Sequence, residues 1–111
     1  MTTGVLTGTL LDRLPDATAA ERTTPLFGTP GCRVERIVSC GQASPAGFWY
    51  DQAQTEFVVL LAGSASLRIE DEAGARDLAP GDYLVLPAHC RHRVERTSVA
   101  PPAVWLAVHM G

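Results

Sequence analysis

From Arg33 onward, apolar and polar side chains follow the two-residue period of β-strands rather than the period of a helix. The alternation predicts a strand that begins at Arg33, a half-exposed strand over residues 64–70, a short buried strand over residues 83–86, and two more over residues 91–97 and 104–109. Glycine, proline and aspartate residues separate these segments at intervals of about 8–12 residues. The pattern predicts an all-β sandwich or barrel.

The segment over residues 56–61 is apolar on both of its faces. Val58 and Leu60 share one face with Glu56, and the opposite face carries three apolar side chains, Phe57, Val59 and Leu61. A strand of this kind is covered on both sides. One face can fill a barrel, whereas the other, with Trp105 expected nearby, needs the N-terminal segment or a second subunit. We therefore predict a homodimer, since two-fold dimers are the commonest oligomers.

Residues 1–31 differ from the rest of the chain because they are rich in Thr, Ala, Pro and Gly. We interpret them as an N-terminal arm, followed by one domain over residues 32–111. Within the arm, residues 16–23 could form a short helix with Asp16 as its N-cap. Pro25 would end that helix.

Two histidines near the C-terminus are distinguished by the strand pattern. In the strand over residues 91–97, His92 shares a face with an apolar side chain, so we expect it to point inward. His89, three residues earlier, is expected at the rim, where it is a candidate substrate-binding or proton-transfer group or simply a surface histidine. His109 shares a strand face with Trp105, which favours a packing or interface role over ligation.

An aromatic run, Phe48-Trp49-Tyr50, suits a strand at the rim of a barrel. Trp49 and Tyr50 could line a pocket at the barrel mouth, with Tyr50, Gln52 and Gln54 as polar anchors for a small molecule. The alternative is that these aromatic side chains only close the end of the core.

Charge and composition narrow the classes of partner. The chain of 111 residues has 12 acidic and 9 basic residues, all of the latter arginine, and a net charge of −3. Arg91, Arg93 and Arg96 cluster with the spacing of a solvent-exposed strand face, so no nucleic-acid-binding surface is expected. Three cysteines form no C-x-x-C pair, and no apolar run reaches the ~20 residues of a membrane span. We predict a cytoplasmic protein without a membrane partner.

Two short motifs resemble those of the cupin superfamily. Glu56, followed after six residues by Gly63, is similar to the second half of the first cupin motif. Gly81, five residues, Pro87 and then His92 are similar to the second motif.

The resemblance covers roughly residues 33–109, and residues 40–52 further resemble a sub-family of short single-domain bacterial cupins. It implies a small cupin β-barrel, or jelly roll, over residues 32–111.

The resemblance also implies a metal centre of three histidines and one glutamate. Glu56 takes the place of the glutamate and His92 that of the second-motif histidine. The H-x-H pair has no counterpart, because its positions fall on Trp49 and Asp51 or, in the other register, on Tyr50 and Gln52.

Asp51 is the candidate third ligand. With Glu56 and His92 it would form a set of two carboxylates and one imidazole, suited to a divalent ion such as Fe, Mn, Zn, Ni or Mg. The alternative is that buried Glu56 and His92 only hydrogen-bond to each other.

Two classes of function follow from these residues. The first is a cupin that binds a small molecule and could act on it as a divalent-metal-dependent enzyme, with Glu56 and His92 as catalytic residues. With iron it would resemble a dioxygenase acting on a small acid or thiol, and without a redox metal an isomerase or epimerase acting on a sugar-like substrate. The second is a non-enzymatic binding or sensor cupin that has lost the metal site. Fold alone does not choose between them.

Overall fold

The computed structural model describes residues 4–111 and confirms the all-β prediction. It contains eight strands: β1 (Arg22–Thr29), β2 (Cys32–Ser39), β3 (Thr55–Ala62), β4 (Ala65–Ile69), β5 (Arg76–Leu78), β6 (Tyr83–Leu86), β7 (His92–Thr97) and β8 (Ala103–Met110). Residues 4–111 contain no helix, and therefore none long and apolar enough to cross a membrane.

The strands form two antiparallel sheets. One has five strands in the order β1-β2-β8-β3-β6, and the other has three in the order β5-β4-β7. Buried side chains from both sheets meet in one core, including Val58, Leu60, Trp105, Leu67 and Leu78. Alternate residues of each strand therefore face the space between the sheets.

The predicted helix over residues 16–23 does not form. The Asp16 carboxylate accepts hydrogen bonds from the backbone N–H and the hydroxyl of Thr18, which makes a local turn instead of a helix cap. Strand β1 then begins at Arg22 and pairs with β2, from Arg22 opposite Val38 to Thr29 opposite Cys32. The β-branched threonines at the start of this strand and the free edge of β2 favour the extended backbone.

Trp105 lies inside the molecule, not beside the outer apolar face of β3. Its exposed fraction is 4%, and it belongs to the central core. Both faces of β8 are apolar, so the alternation alone could not indicate which face points inward. The structure turns the face of Trp105 and His109 toward the other sheet and leaves Leu106 and Val108 on the outside.

The aromatic run Phe48-Trp49-Tyr50 is not a strand. Only Tyr50 makes a bridge, in which its N–H donates to the His92 carbonyl at 2.7 Å and its carbonyl accepts from the His92 N–H at 3.2 Å. This single bridge fixes Tyr50 beside the start of β7.

Candidate functional site

A cavity of about 210 Å³ opens between the two sheets. Its apolar walls come from six side chains, Ile37, Val58, Leu67, Leu86, Val94 and Trp105. Polar side chains from β1, β2, β3, β7, β8 and the segments before β1 and β3 complete the lining. An apolar pocket with a few converging polar groups is the usual form of a small-molecule site, and this one is small for that class.

Glu56 and His92 meet in this cavity, as the sequence predicts. His92 Nε2 lies 3.8 Å from Glu56 Oε1, and their exposed fractions are only 6% and 8%. His92 Nδ1 donates to the Cys90 carbonyl at 2.9 Å, which directs Nε2 toward Glu56. The Tyr50 ring stacks on the imidazole with a centroid distance of 5.2 Å and holds its plane.

The surroundings of Glu56 raise its pKa above the ordinary value of a glutamate. Burial raises the pKa of Glu56, while the imidazoles of His109 and His92 partly oppose that rise. Its Oε1 atom is buried and accepts no hydrogen bond within the described part of the chain. A buried oxygen without an internal partner is a natural contact for a ligand.

A second histidine–carboxylate pair lines the same cavity and was missed in the sequence. Buried His109 donates from Nε2 to Glu35 Oε1 at 3.0 Å, and the same nitrogen lies 4.0 Å from Glu56 Oε2. Strand pairing brings them together, because His109 stands opposite Glu56 between β8 and β3. His109 therefore belongs to the polar lining instead of an interface, and only knowledge of the pairing could have shown it.

Asp51 does not join Glu56 and His92. Its carboxylate accepts a hydrogen bond from His89 Nδ1 at 2.7 Å and lies 3.8 Å from Arg91. The Asp51 and His89 side chains are 41% and 70% exposed, and neither lines the cavity. The neighbours of Asp51 in the chain, Tyr50 and Gln52, do line it.

Of the remaining predicted pocket residues, Trp49 and Gln54 also lie outside the cavity lining. The guanidinium carbon of Arg93 lies over the Trp49 ring, 5.9 Å from the ring centroid. The structure thus places Tyr50 and Gln52 at the cavity, and Trp49, Gln54 and His89 beyond it.

The donor set does not fit the metal centre that the motifs imply. Glu56 Oε1 and His92 Nε2 face the same space, but Asp51 lies elsewhere and His109 Nε2 is engaged by Glu35. Over residues 4–111, no group of three or more His, Cys, Asp or Glu side chains is arranged to hold a metal ion. No chemical step is therefore assigned to a metal here.

Solved structures of other proteins share this architecture. A protein of Ralstonia eutropha JMP134, described as a candidate mannose-6-phosphate isomerase, is 46% identical, with a TM-score of 0.92 over 96% of this chain and 98% of its own. An RmlC-like cupin of Desulfovibrio desulfuricans shares the fold at 15% identity, with a TM-score of 0.78 and 96% of each chain covered. So does a cupin superfamily protein of Desulfitobacterium hafniense DCB-2, at 16% identity and a TM-score of 0.73, over 87% of this chain and 83% of its own.

No curated protein matches the chain in sequence. The family model for the cupin domain matches residues 41–109, which is more than half of the chain and contains Glu56, His92 and His109. The chain belongs to the cupin family.

Proposed function

We propose that the chain binds a small, sugar-like molecule in the cavity and catalyses its isomerisation or epimerisation by proton transfer. Glu56 and His92 are the acid–base pair in this proposal. The observation that carries it is the buried Glu56 Oε1, which has no hydrogen-bond partner among the described residues and faces the cavity beside His92 Nε2.

The chemistry requires a group that removes a proton from a carbon next to a carbonyl. Isomerisation returns a proton to the neighbouring carbon, and epimerisation returns it to the opposite face of the same carbon. A carboxyl group with a raised pKa transfers protons effectively near neutral pH. His92 Nε2 faces the same space, 3.8 Å from Glu56 Oε1, because its other nitrogen is held by the Cys90 carbonyl, so a substrate between the two groups can exchange protons with both. Burial and the nearby carboxylates of Glu21 and Glu56 raise the pKa of Tyr50, so its hydroxyl stays protonated and donates to a substrate oxygen.

The relative from Ralstonia eutropha supports this class of reaction. Its described activity, mannose-6-phosphate isomerisation, converts an aldose to a ketose. That protein resembles this chain over nearly the whole length of both. The cupin motifs still predict a divalent ion, Fe, Mn, Zn or Ni. The cytoplasmic location likewise remains a prediction from the sequence.

Deuterium exchange tests the proposal directly. We would incubate the purified protein with D-mannose and with D-mannose 6-phosphate in D₂O, and follow loss of the C2 proton by NMR. Exchange is expected in one or both, and Glu56→Gln should slow it by about 10²–10⁴-fold, because it removes the proton acceptor.

Glu72→Gln is the matched control. Glu72 lies in the exposed β4–β5 hairpin, pairs with Arg76 and does not line the cavity. Its variant should exchange at the wild-type rate. Exchange that survives in the Glu56 variant would remove Glu56 from the mechanism.

The second candidate is a non-enzymatic binding module. The observation that favours it is the missing third metal donor, because Asp51 lies outside the cavity. Calorimetric binding of a sugar without deuterium exchange, in protein that carries no stoichiometric metal after growth in supplemented medium, would establish this candidate and rule out the enzyme.

A further inference from the structure

The charges around the cavity are strongly one-sided. Three carboxylates line it, those of Glu21, Glu35 and Glu56. No arginine lines it within residues 4–111, and the chain contains no lysine at all. Arg33 lies outside this lining, with its side chain 51% exposed, but its Nε is 3.5 Å from Glu35 Oε2 and its charge partly opposes the rise in the pKa of Glu56.

Two of the three carboxylates already have internal donors. Glu21 Oε2 accepts from the buried Ser39 hydroxyl at 2.8 Å, and Glu35 Oε1 accepts from His109 at 3.0 Å. Glu56 Oε1 accepts nothing, although the residue is only 8% exposed. The cavity is thus rich in hydrogen-bond acceptors and in negative charge, and one buried acceptor remains open.

A ligand that satisfies these groups must donate hydrogen bonds. Hydroxyl groups do so without adding charge, and their carbon skeleton can rest on the apolar walls. Phosphate and carboxylate groups bring only acceptors and a like charge, whose repulsion grows where water is excluded. Recognition of phosphate normally uses arginine, lysine or a helix N-terminus, and the cavity has none of these.

We propose that the cavity selects an uncharged, hydroxyl-bearing molecule and excludes its phosphorylated counterpart, with Glu21 and Glu35 as the residues that set this selection. This inference rests on the proposed function for its site, and it names a substrate class different from the one in the description of the Ralstonia relative. Glu21 and Glu35 precede the part of the chain that the cupin family model matches.

Matched pairs of sugars test the selection by calorimetry. D-mannose, D-glucose and D-fructose would each be compared with the 6-phosphate of the same sugar. At least one free sugar is expected to bind, and at least tenfold more tightly than its phosphate. Equal or tighter binding of the phosphate, or no binding of any free sugar, overturns the proposal.

Charge-removing variants assign the selection to its residues. Glu21→Gln and Glu35→Gln should each reduce the ratio of the two affinities severalfold, whereas Glu72→Gln, with the same loss of charge outside the cavity, should leave it unchanged. Glu21 is exposed at the cavity mouth, so its variant is expected to fold even if the Glu35 variant does not. An unchanged ratio in Glu21→Gln would contradict its assignment.

The two proposals fail in different ways. A free sugar that binds selectively but exchanges no deuterium contradicts the catalytic proposal and leaves the selection intact. Exchange that is faster for the phosphate than for the free sugar leaves catalysis intact and overturns the selection.

Discussion

At the scale of single residues, Glu56 illustrates the conflict between a site and the stability of its fold. Its pKa is raised because burial disfavours the charged carboxylate. A group whose pKa is higher in the folded state contributes stability below its unfolded pKa of about 4.3, and that contribution is lost as pH rises through the folded pKa. The ionised carboxylate therefore destabilises the fold at neutral pH.

Replacing this carboxylate should consequently stabilise the protein at neutral pH. Glutamine resembles the protonated carboxyl group, so Glu56→Gln should melt at a higher temperature than the wild type at pH 7. The difference should shrink toward pH 4, where the wild-type group becomes protonated. Melting curves at both pH values measure this effect, and a variant that is less stable at pH 7 contradicts it.

Gly63, the glycine of the first motif, has a structural reason for its identity. Its φ is +77°, and a Cβ atom there would lie 2.5 Å from the Pro102 carbonyl oxygen and 2.9 Å from Ala103 Cα. Both neighbours are backbone and cannot move independently of β8. A side chain at this position would therefore push the start of β8 away.

Gly63→Ala should lower the free energy of unfolding by at least about 1–2 kcal/mol, from the left-handed backbone alone. Gly74→Ala, in the β4–β5 hairpin with nothing within 4 Å of the added Cβ, is the control and should change stability little. Urea denaturation compares the two. Equal stabilities would show that the β3–β4 turn tolerates a side chain.

At the scale of elements, the loop before β3 is held by one arginine. The Arg93 guanidinium donates to the carbonyls of Ser44 and Pro45 at 3.1 Å each and to that of Phe48 at 3.4 Å, and it packs on Trp49. Its side chain is only 14% exposed. The spacing of Arg93 in the sequence suggested a solvent-exposed strand face, whereas the structure uses it to position the segment that carries Tyr50.

Arg93→Ala should destabilise the fold by about 1–3 kcal/mol, because it removes charged hydrogen bonds to three backbone carbonyls of one loop. It should also weaken sugar binding, since Tyr50 loses its support. Arg76→Ala removes only an exposed ion pair with Glu72 and should cost far less. Chemical denaturation and calorimetry together check both effects, and equal losses in the two variants would contradict this role.

The strands themselves were largely predictable, whereas their partners were not. β3 and β6 follow from their apolar patterns, although Tyr83 and Val85 are exposed and β6 is therefore not the buried strand that its pattern predicts. The inward direction of His92 follows from alternation in β7. β1 was missed because its formation depends on pairing with the free edge of β2, and no pattern within its own residues indicates that pairing. Glu35 and His109 were missed for a similar reason, since strand pairing brings together residues 74 positions apart.

At the scale of the whole molecule, the outer face of the five-stranded sheet is apolar apart from Arg36 of β2, which is buried. Leu14 and Ala17 pack over one end of it, beside Val38 and Val104. Toward β6 the face stays open: Tyr83 and Val85 are 62% and 54% exposed, and the Phe57 ring stacks on Tyr83. Such a patch on a small protein indicates an interface.

We expect a second copy of the chain to cover this patch, as the two-sided apolar pattern of β3 predicts. Sedimentation at micromolar concentration should show a dimer, and an 11.8 kDa monomer alone would contradict it. Val85→Glu should dissociate the dimer by placing a charge in the interface. Val99→Glu, at a position 62% exposed in the turn before β8, is the control and should remain dimeric.

Only part of the cavity wall comes from the residues that the family model matches. The family model begins at residue 41, yet Glu21, Thr23, Glu35 and Ile37 all contribute to the lining from β1, β2 and the residue before β1. Among the strands of residues 4–111, β1 is the edge strand of its sheet and has no neighbour on its far side. Substitutions in β1 therefore disturb few packing contacts. Changes to about twenty N-terminal residues could alter the preferred substrate while every motif of the domain stays unchanged. Proteins that diverged in this way would share the fold and the proposed acid–base pair, Glu56 and His92, and would differ in their substrates.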